Sequence, residues 1–264
     1  MSEPIMLIHN NKFPDATLSG GVWTAPLTEM QDPRPGIKAR SSGLTLTNTK
    51  FKIAYPSAVS FEAWAFTNTN LTEDALYRIT WYSDAFVTEV SNSGWLSIPG
   101  YPTDDPDNIG AAIVHLFGAT RTELYYLVEI DDQTNPDNYV EIGVGVTGEC
   151  WQPPRQIGED GNLDAPKHNT KVSEALGGTA YFNRRKPKRT FSFSLRYLDG
   201  DSMAEVRRLR KIANIDKHVF VIPMPDDPDD FNEGAFLGRM DEMSKIQRLS
   251  AGYSNTAFSI TEVV

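Results

Sequence analysis

Paired carboxylates are the most obvious chemistry this sequence offers. They stand in three runs, DDPD at 104–107, DDQTNPD at 131–137 and DDPDD at 226–230. Two such groups could divide acid and base roles in glycoside hydrolysis, or hold Ca²⁺ through oxygen ligands. Each run also contains proline, the composition of a solvated turn, and the residues favour that reading. The histidines His9, His115, His168 and His218 lie far apart and lack HxxxH or HExxH spacing, so they cannot build a zinc hydrolase. His115, inside an apolar run, and His218, at a strand start, read as hydrogen-bonded core residues. No GxSxG turn and no GxxxxGK[ST] loop is present, and the glycines of IGVGV (142–146) sit within a strand pattern. The single cysteine, Cys150, excludes an internal disulfide and a Cys/His metal frame. The expectation is a protein without enzymatic activity, cofactor or metal.

Recognition chemistry is better represented. The segment NRRKPKR carries Arg184, Arg185, Lys186, Lys188 and Arg189, a candidate basic patch at a subunit interface. The net charge is −10, and it is uneven: residues 1–160 hold 9 basic and 21 acidic side chains, residues 161–264 hold 16 and 14. A chain of this charge lacks the counterion-releasing surface of a general nucleic-acid binder, so no sequence-specific nucleic-acid binding is expected. Pairing of the basic patch with acidic loops such as 226–230 on a neighbouring copy suits the charge better. Among the five tryptophans, Trp64 and Trp81 fall inside strand patterns and read as core, whereas Trp95, in SNSGWLS, is the candidate carbohydrate contact.

These side chains are placed by a chain rich in short strand patterns. Apolar runs occur at 6–8 and in alternation over Leu44–Tyr55; they continue at 59–66, 76–83, 113–117, 124–130 and 139–146, with turn chemistry between them. Residues 1–150 are therefore expected to form a β-sandwich or barrel. Segment 151–178 is rich in proline and glycine and reads as a linker or arm. In 179–264, Tyr181 and Phe182 face Phe191, Phe193 and Leu195 across the basic turn as an expected hairpin. A helix over about 202–213 follows, capped at Asp201 or Ser202 with Glu205 completing a capping box. Further strands complete a β-barrel or α+β domain with that one helix. No run of about 18 apolar residues is present, so no membrane anchor and no secretory signal are expected.

The succession LTEMQDPRPGIKARS, VSFEAWAFTNTNLTEDALYRITWYSDA and YLVEIDDQTNPDNYVEIGVGVTGECWQPP resembles the galactose-binding-like jelly roll of some tail proteins of long-tailed, non-contractile phages. Asn68 and Asn70 match its TN pair, Glu141, Ile142 and Gly143 its EIG motif, and Trp151 and Pro153 its Trp-x-Pro. The second half is similar to the tail-tube-like domain of distal tail and baseplate proteins. The resemblance implies a virion structural protein at the tail tip, made in the bacterial host cytoplasm. Its tube-like domains would join into a homo-oligomeric ring, a hexamer being favoured and a trimer also found, in contact with tail tube, baseplate hub and tail fibre proteins. A carbohydrate-binding adhesin module that contacts a surface glycan is the alternative, resting on the jelly-roll pattern and Trp95.

Overall fold

The computed structural model describes residues 5–98, 112–153, 163–167, 170–174, 178, 180–183, 187–213, 217–227, 234–241, 246–249 and 252–263. The protein is mainly β. It divides into two compact units, Met1–Gln152 with Phe220–Phe236, and Pro153–Val219 with Leu237–Val264. The expected range 179–264 is thus interrupted by a stretch that belongs with the first unit.

The first unit begins with β1 (Met6–Ile8), β2 (Thr17–Ser19), β3 (Trp23–Ala25), β4 (Ala39–Ser41), the one-turn helix α1 (Leu46–Thr49), β5 (Phe51–Ala54), β6 (Phe61–Phe66) and β7 (Leu76–Tyr82). It continues with β8 (Glu89–Asn92), β9 (Leu96–Ser97), β10 (Ile113–Arg121), β11 (Tyr125–Asp131), β12 (Glu141–Ile142), β13 (Gly145–Gly148) and β14 (Cys150–Trp151). One antiparallel sheet has the order β2-β5-β11-β7-β8, with β9 also on β7, and a second has the order β10-β6-β13. Alternate residues of each sheet point into a common core. Phe51, Ile79, Trp81, Tyr126 and Val128 come from the first, and Phe61, Trp64, Phe66, Ile113 and Phe117 from the second. Trp64 and Tyr126 meet with ring centroids 4.7 Å apart at the centre of this β-sandwich. Both expected core tryptophans are buried there.

Two strand expectations change. The alternation over Leu44–Tyr55 yields a strand only at Phe51–Ala54, because Leu46–Thr49 winds into a helical turn whose buried Thr49 hydroxyl donates to Ile130 O at 2.6 Å. The run at 139–146 is cut in two at Gly143. Its N–H donates to Thr67 O at 2.9 Å, and a Cβ there would stand 2.8 Å from that oxygen, so only glycine lets the two backbones approach. Beyond the cut β13 pairs with β6, while β12 joins a separate small sheet of order β12-β4-β3.

The second unit contains β15 (Leu163–Lys167), β16 (Lys171–Glu174), β17 (Ala180–Asn183), β18 (Lys188–Leu198) and α2 (Gly200–Ile212). It is followed by β19 (His218–Ile222), whose Phe220–Ile222 pair with β1 inside the first unit, then β20 (Phe236–Met240), β21 (Gln247–Arg248) and β22 (Ser254–Glu262). The expected hairpin across the basic turn does not form. β17 pairs instead with β16, and β18 lies between β15 and β22. The 151–178 arm consequently contains ladder strands. Phe191, Phe193 and Leu195 of β18 and Phe258 and Ile260 of β22 are buried, as are Met203, Val206 and Leu209 of α2. The helix starts two residues before its expected position because Asp199 is the cap, its carboxylate accepting from Ser202 N at 2.9 Å. Among the described residues no helix is long and apolar enough to cross a membrane.

His115 on β10 is half-buried beside Tyr77, whose hydroxyl lies 3.3 Å from its Nδ1. Burial, reinforced by the Arg121 cation, pushes its imidazole down to about 4. The folded state therefore holds the neutral ring while the unfolded chain protonates near 6.5, so this contribution is complete above pH 6.5 and is lost as pH falls towards 4. Denaturant titrations should show the first unit losing about 3 kcal/mol between pH 7 and pH 4 from this group. The variant His115→Gln should lack that increment; an unchanged pH slope would contradict the assignment.

Candidate functional site

The small sheet β12-β4-β3 places the polar side chains that converge in the first unit. Its register sets Glu141 opposite Arg40 and Ile142 opposite Ala39, with Ala25 on the far side of Arg40. Strand alternation sends Ala39 and Ile142 into the core and leaves Arg40 and Glu141 outward. Above them passes the loop 32–38, whose Pro33, Pro35 and Gly36 prevent helix. Asp32 shapes it by accepting from Arg34 N at 2.9 Å and from the Arg34 guanidinium, contacts that hold the Asp32 carboxyl at about 2. Asn68 Nδ2 fastens the loop by donating to Pro35 O at 3.3 Å.

Thr24, Ala25, Gly36, Lys38, Arg40 and Glu141 line the resulting open cleft, of about 480 Å³. Glu141 is held between two cations. Arg40 Nε donates to its Oε1 at 2.9 Å, Arg40 Nη2 donates to the same oxygen, and Lys38 Nζ stands 3.3 Å from Oε2. The Arg40 guanidinium also lies over the Tyr139 ring, 4.3 Å from its centroid. Contact with Glu141 is the main cause of a raised Arg40 pKa, so this cation stays charged throughout the accessible range.

Asn70 closes the arrangement. Its Oδ1 accepts from Glu141 N at 2.6 Å, and its Nδ2 donates to Tyr139 O at 3.1 Å and to Asp137 Oδ2 at 2.9 Å. Asn70, Tyr139, Arg40 and Glu141 thus form a closed ring of contacts that fixes donors and acceptor in place. Such a set can receive groups that both donate and accept hydrogen bonds, above all hydroxyls.

The carboxylates of the 131–137 run serve the neighbouring loop. Asp132 is buried and accepts from Thr72 N at 3.1 Å and from Asn135 Nδ2 at 2.8 Å, Asp137 accepts from Asn70, and Asp131 accepts from Gln133 Nε2 at 3.1 Å. Among the described residues no group of three or more His, Cys, Asp or Glu side chains is arranged to hold a metal. The run 104–107, His168 and residues 228–230 lie outside the described residues.

Trp95 is not among the residues that line the cleft. Trp95 lies just before β9 and is 38% exposed, but Arg78 covers one face of its ring, 4.8 Å from the centroid, while itself donating to Glu129 Oε2 at 2.7 Å. Of the basic patch, Arg184, Arg185 and Lys186 lie outside the described residues, and Lys188 is half-buried at the start of β18. Arg189 is engaged within its own chain: its Nη2 donates to the buried Glu262 Oε1 at 2.8 Å, and its N–H donates to Oε2 at 2.9 Å. Sequence reading marked Glu141 and Asn70 only as motif positions and passed over Lys38 and Arg40. Arg40 and Glu141 are 101 residues apart, and no local pattern announces their meeting.

No family model and no curated protein matches the sequence. Among solved structures, the chain is similar to CBM32-1 from a family 31 glycoside hydrolase of Clostridium perfringens, at 12% identity and a TM-score of 0.38, over 53% of this chain and 98% of that one. It is also similar to a Ruminococcus gnavus GH29 fucosidase in complex with fucose, at 12% identity and a TM-score of 0.36, over 54% of this chain and 27% of that one.

Proposed function

We propose that the first unit is a carbohydrate-binding module and that the Thr24–Lys38–Arg40–Glu141 cleft is its sugar site. The observation that carries this reading is the fixed array in which one carboxylate lies between an ammonium and a guanidinium in an open cleft of about 480 Å³. Vicinal sugar hydroxyls donate to a carboxylate while accepting from neighbouring cations, and a volume in the range of about 300–1,000 Å³ admits a small saccharide. Because the ring through Asn70 and Tyr139 orders these groups in advance, little side-chain freedom is lost on binding. A sugar held here would mark a surface glycan as partner, with no bond made or broken by the protein.

A second reading, a structural subunit of a phage tail tip that forms a ring, rests on β16 and β17. Among the described residues they make a two-stranded ladder of their own in which Val172 lies opposite Phe182. Val172 is 61%, Tyr181 61% and Phe182 69% exposed. A lone hairpin is marginal in water, and apolar groups displayed along it suit contact with a neighbouring subunit. The two readings are compatible, since a ring subunit can carry a glycan-binding module.

A glycan array probed with the full chain should give saturable signals that fall by about tenfold or more in Arg40→Ala. Arg40→Lys should not restore them, because a lysine lacks the planar fork that spans Glu141 and Tyr139. A folded wild type that leaves the whole array silent would end the sugar reading. In sedimentation the chain should form a defined oligomer that Tyr181→Asp/Phe182→Asp dissociates; a wild type that stays monomeric at high concentration would remove the ring reading.

A further inference from the structure

We infer that the sugar received by the cleft carries an anionic group, a carboxylate, sulfate or phosphate on the ring, bound by Lys38 and the open edge of Arg40. This rests on the sugar-binding reading above and specifies its ligand class. The hydrogen-bonding capacity of the cleft favours such a ligand. A guanidinium has five N–H groups and an ammonium three. Arg40 gives Nε and Nη2 to the single oxygen Oε1 of Glu141, and Lys38 makes one contact, at 3.3 Å, with Oε2. Most of the donors in the cleft are therefore left over. On the acceptor side Glu141 has Oε1 doubly engaged and Oε2 partly so. The Thr24 hydroxyl donates to Arg40 O at 3.2 Å, leaving its lone pairs as a minor acceptor.

Charge gives the same answer. Two cations share one carboxylate at the cleft. Of the nearby carboxylates, Asp32 is ion-paired with Arg34, whereas Asp137 is hydrogen-bonded through Oδ2 to the neutral Asn70 amide and adds its field at Arg40. A ligand with only hydroxyls would offer the ammonium and the guanidinium edge neutral acceptors alone. An anionic substituent uses both, in charge-assisted bonds that are shorter and stronger than neutral ones. The overall charge of −10 argues against general anion attraction, so any preference for acidic sugars has to come from these two side chains.

The test is calorimetric titration of the full chain with matched probes, D-glucuronate against D-glucose and D-galacturonate against D-galactose, with inorganic phosphate as a further arm. At least one acid should bind about tenfold or more tightly than its neutral counterpart, and more tightly than phosphate. In Lys38→Gln, checked for folding by its melting curve, the ratio of acid to neutral affinity should fall towards one. Equal binding of acid and neutral sugars by the wild type would overturn this inference and leave the sugar site standing. An unchanged ratio in Lys38→Gln would also overturn it. Failure of every sugar would sink the sugar reading itself, and phosphate binding as tightly as the best uronate would make the cleft a bare anion site and overturn the sugar assignment.

Discussion

The close passage of the Gly143 backbone against Thr67 is the constraint on which the cleft depends. Without a side chain, residue 143 lets its N–H reach the Thr67 carbonyl, and the strand pattern of 139–146 breaks there. One half stays in the sandwich as β13, and the other is released to pair with β4. That release brings Glu141 to Arg40. A substitution at 143 would therefore act on the cleft although the residue is not part of its lining.

The sandwich supplies the rigidity that the break exploits. Phe13, Phe51, Phe66 and Trp64 meet edge-on across the core, and a Cβ at Gly145 would strike the Phe13 ring at 2.5 Å, so β13 has no room to shift. With β13 and β6 immobile, the Gly143 turn and the Asn70 side chain are fixed, and the polar ring above them inherits that order. The apolar interior thus determines the recognition geometry even though no core residue reaches the cleft.

Much of this architecture was legible in the sequence where the signal was local. Short apolar runs rich in aromatic and β-branched residues marked β6, β7 and β11, alternation marked β18, the capping signals marked α2, and the burial of Trp64 and Trp81 followed from their strand patterns. Distant meetings were not legible. The partner of β18 is β22 rather than β17, because backbone pairing is decided by which edges the whole unit leaves open. The run 44–50 alternated correctly yet wound into a turn, with Thr49 satisfying a backbone group locally by donating to Thr45 O. Of the cleft, only Glu141 and Asn70 carried any mark. Lys38 and Arg40 stood in a Pro- and Arg-containing loop that gave no hint of what it would overhang.

The return of residues 220–236 to the first unit has a consequence for the molecule as an inheritable object. Strand β1 takes its antiparallel neighbour from Phe220–Ile222, so cleavage after Gln152 would strip one edge of β1 bare while depriving the other piece of its connecting span. Neither half is a transferable cassette. Recombination that shuffles such modules between genes would have to carry this pair together, or rebuild the severed edge from some other sequence.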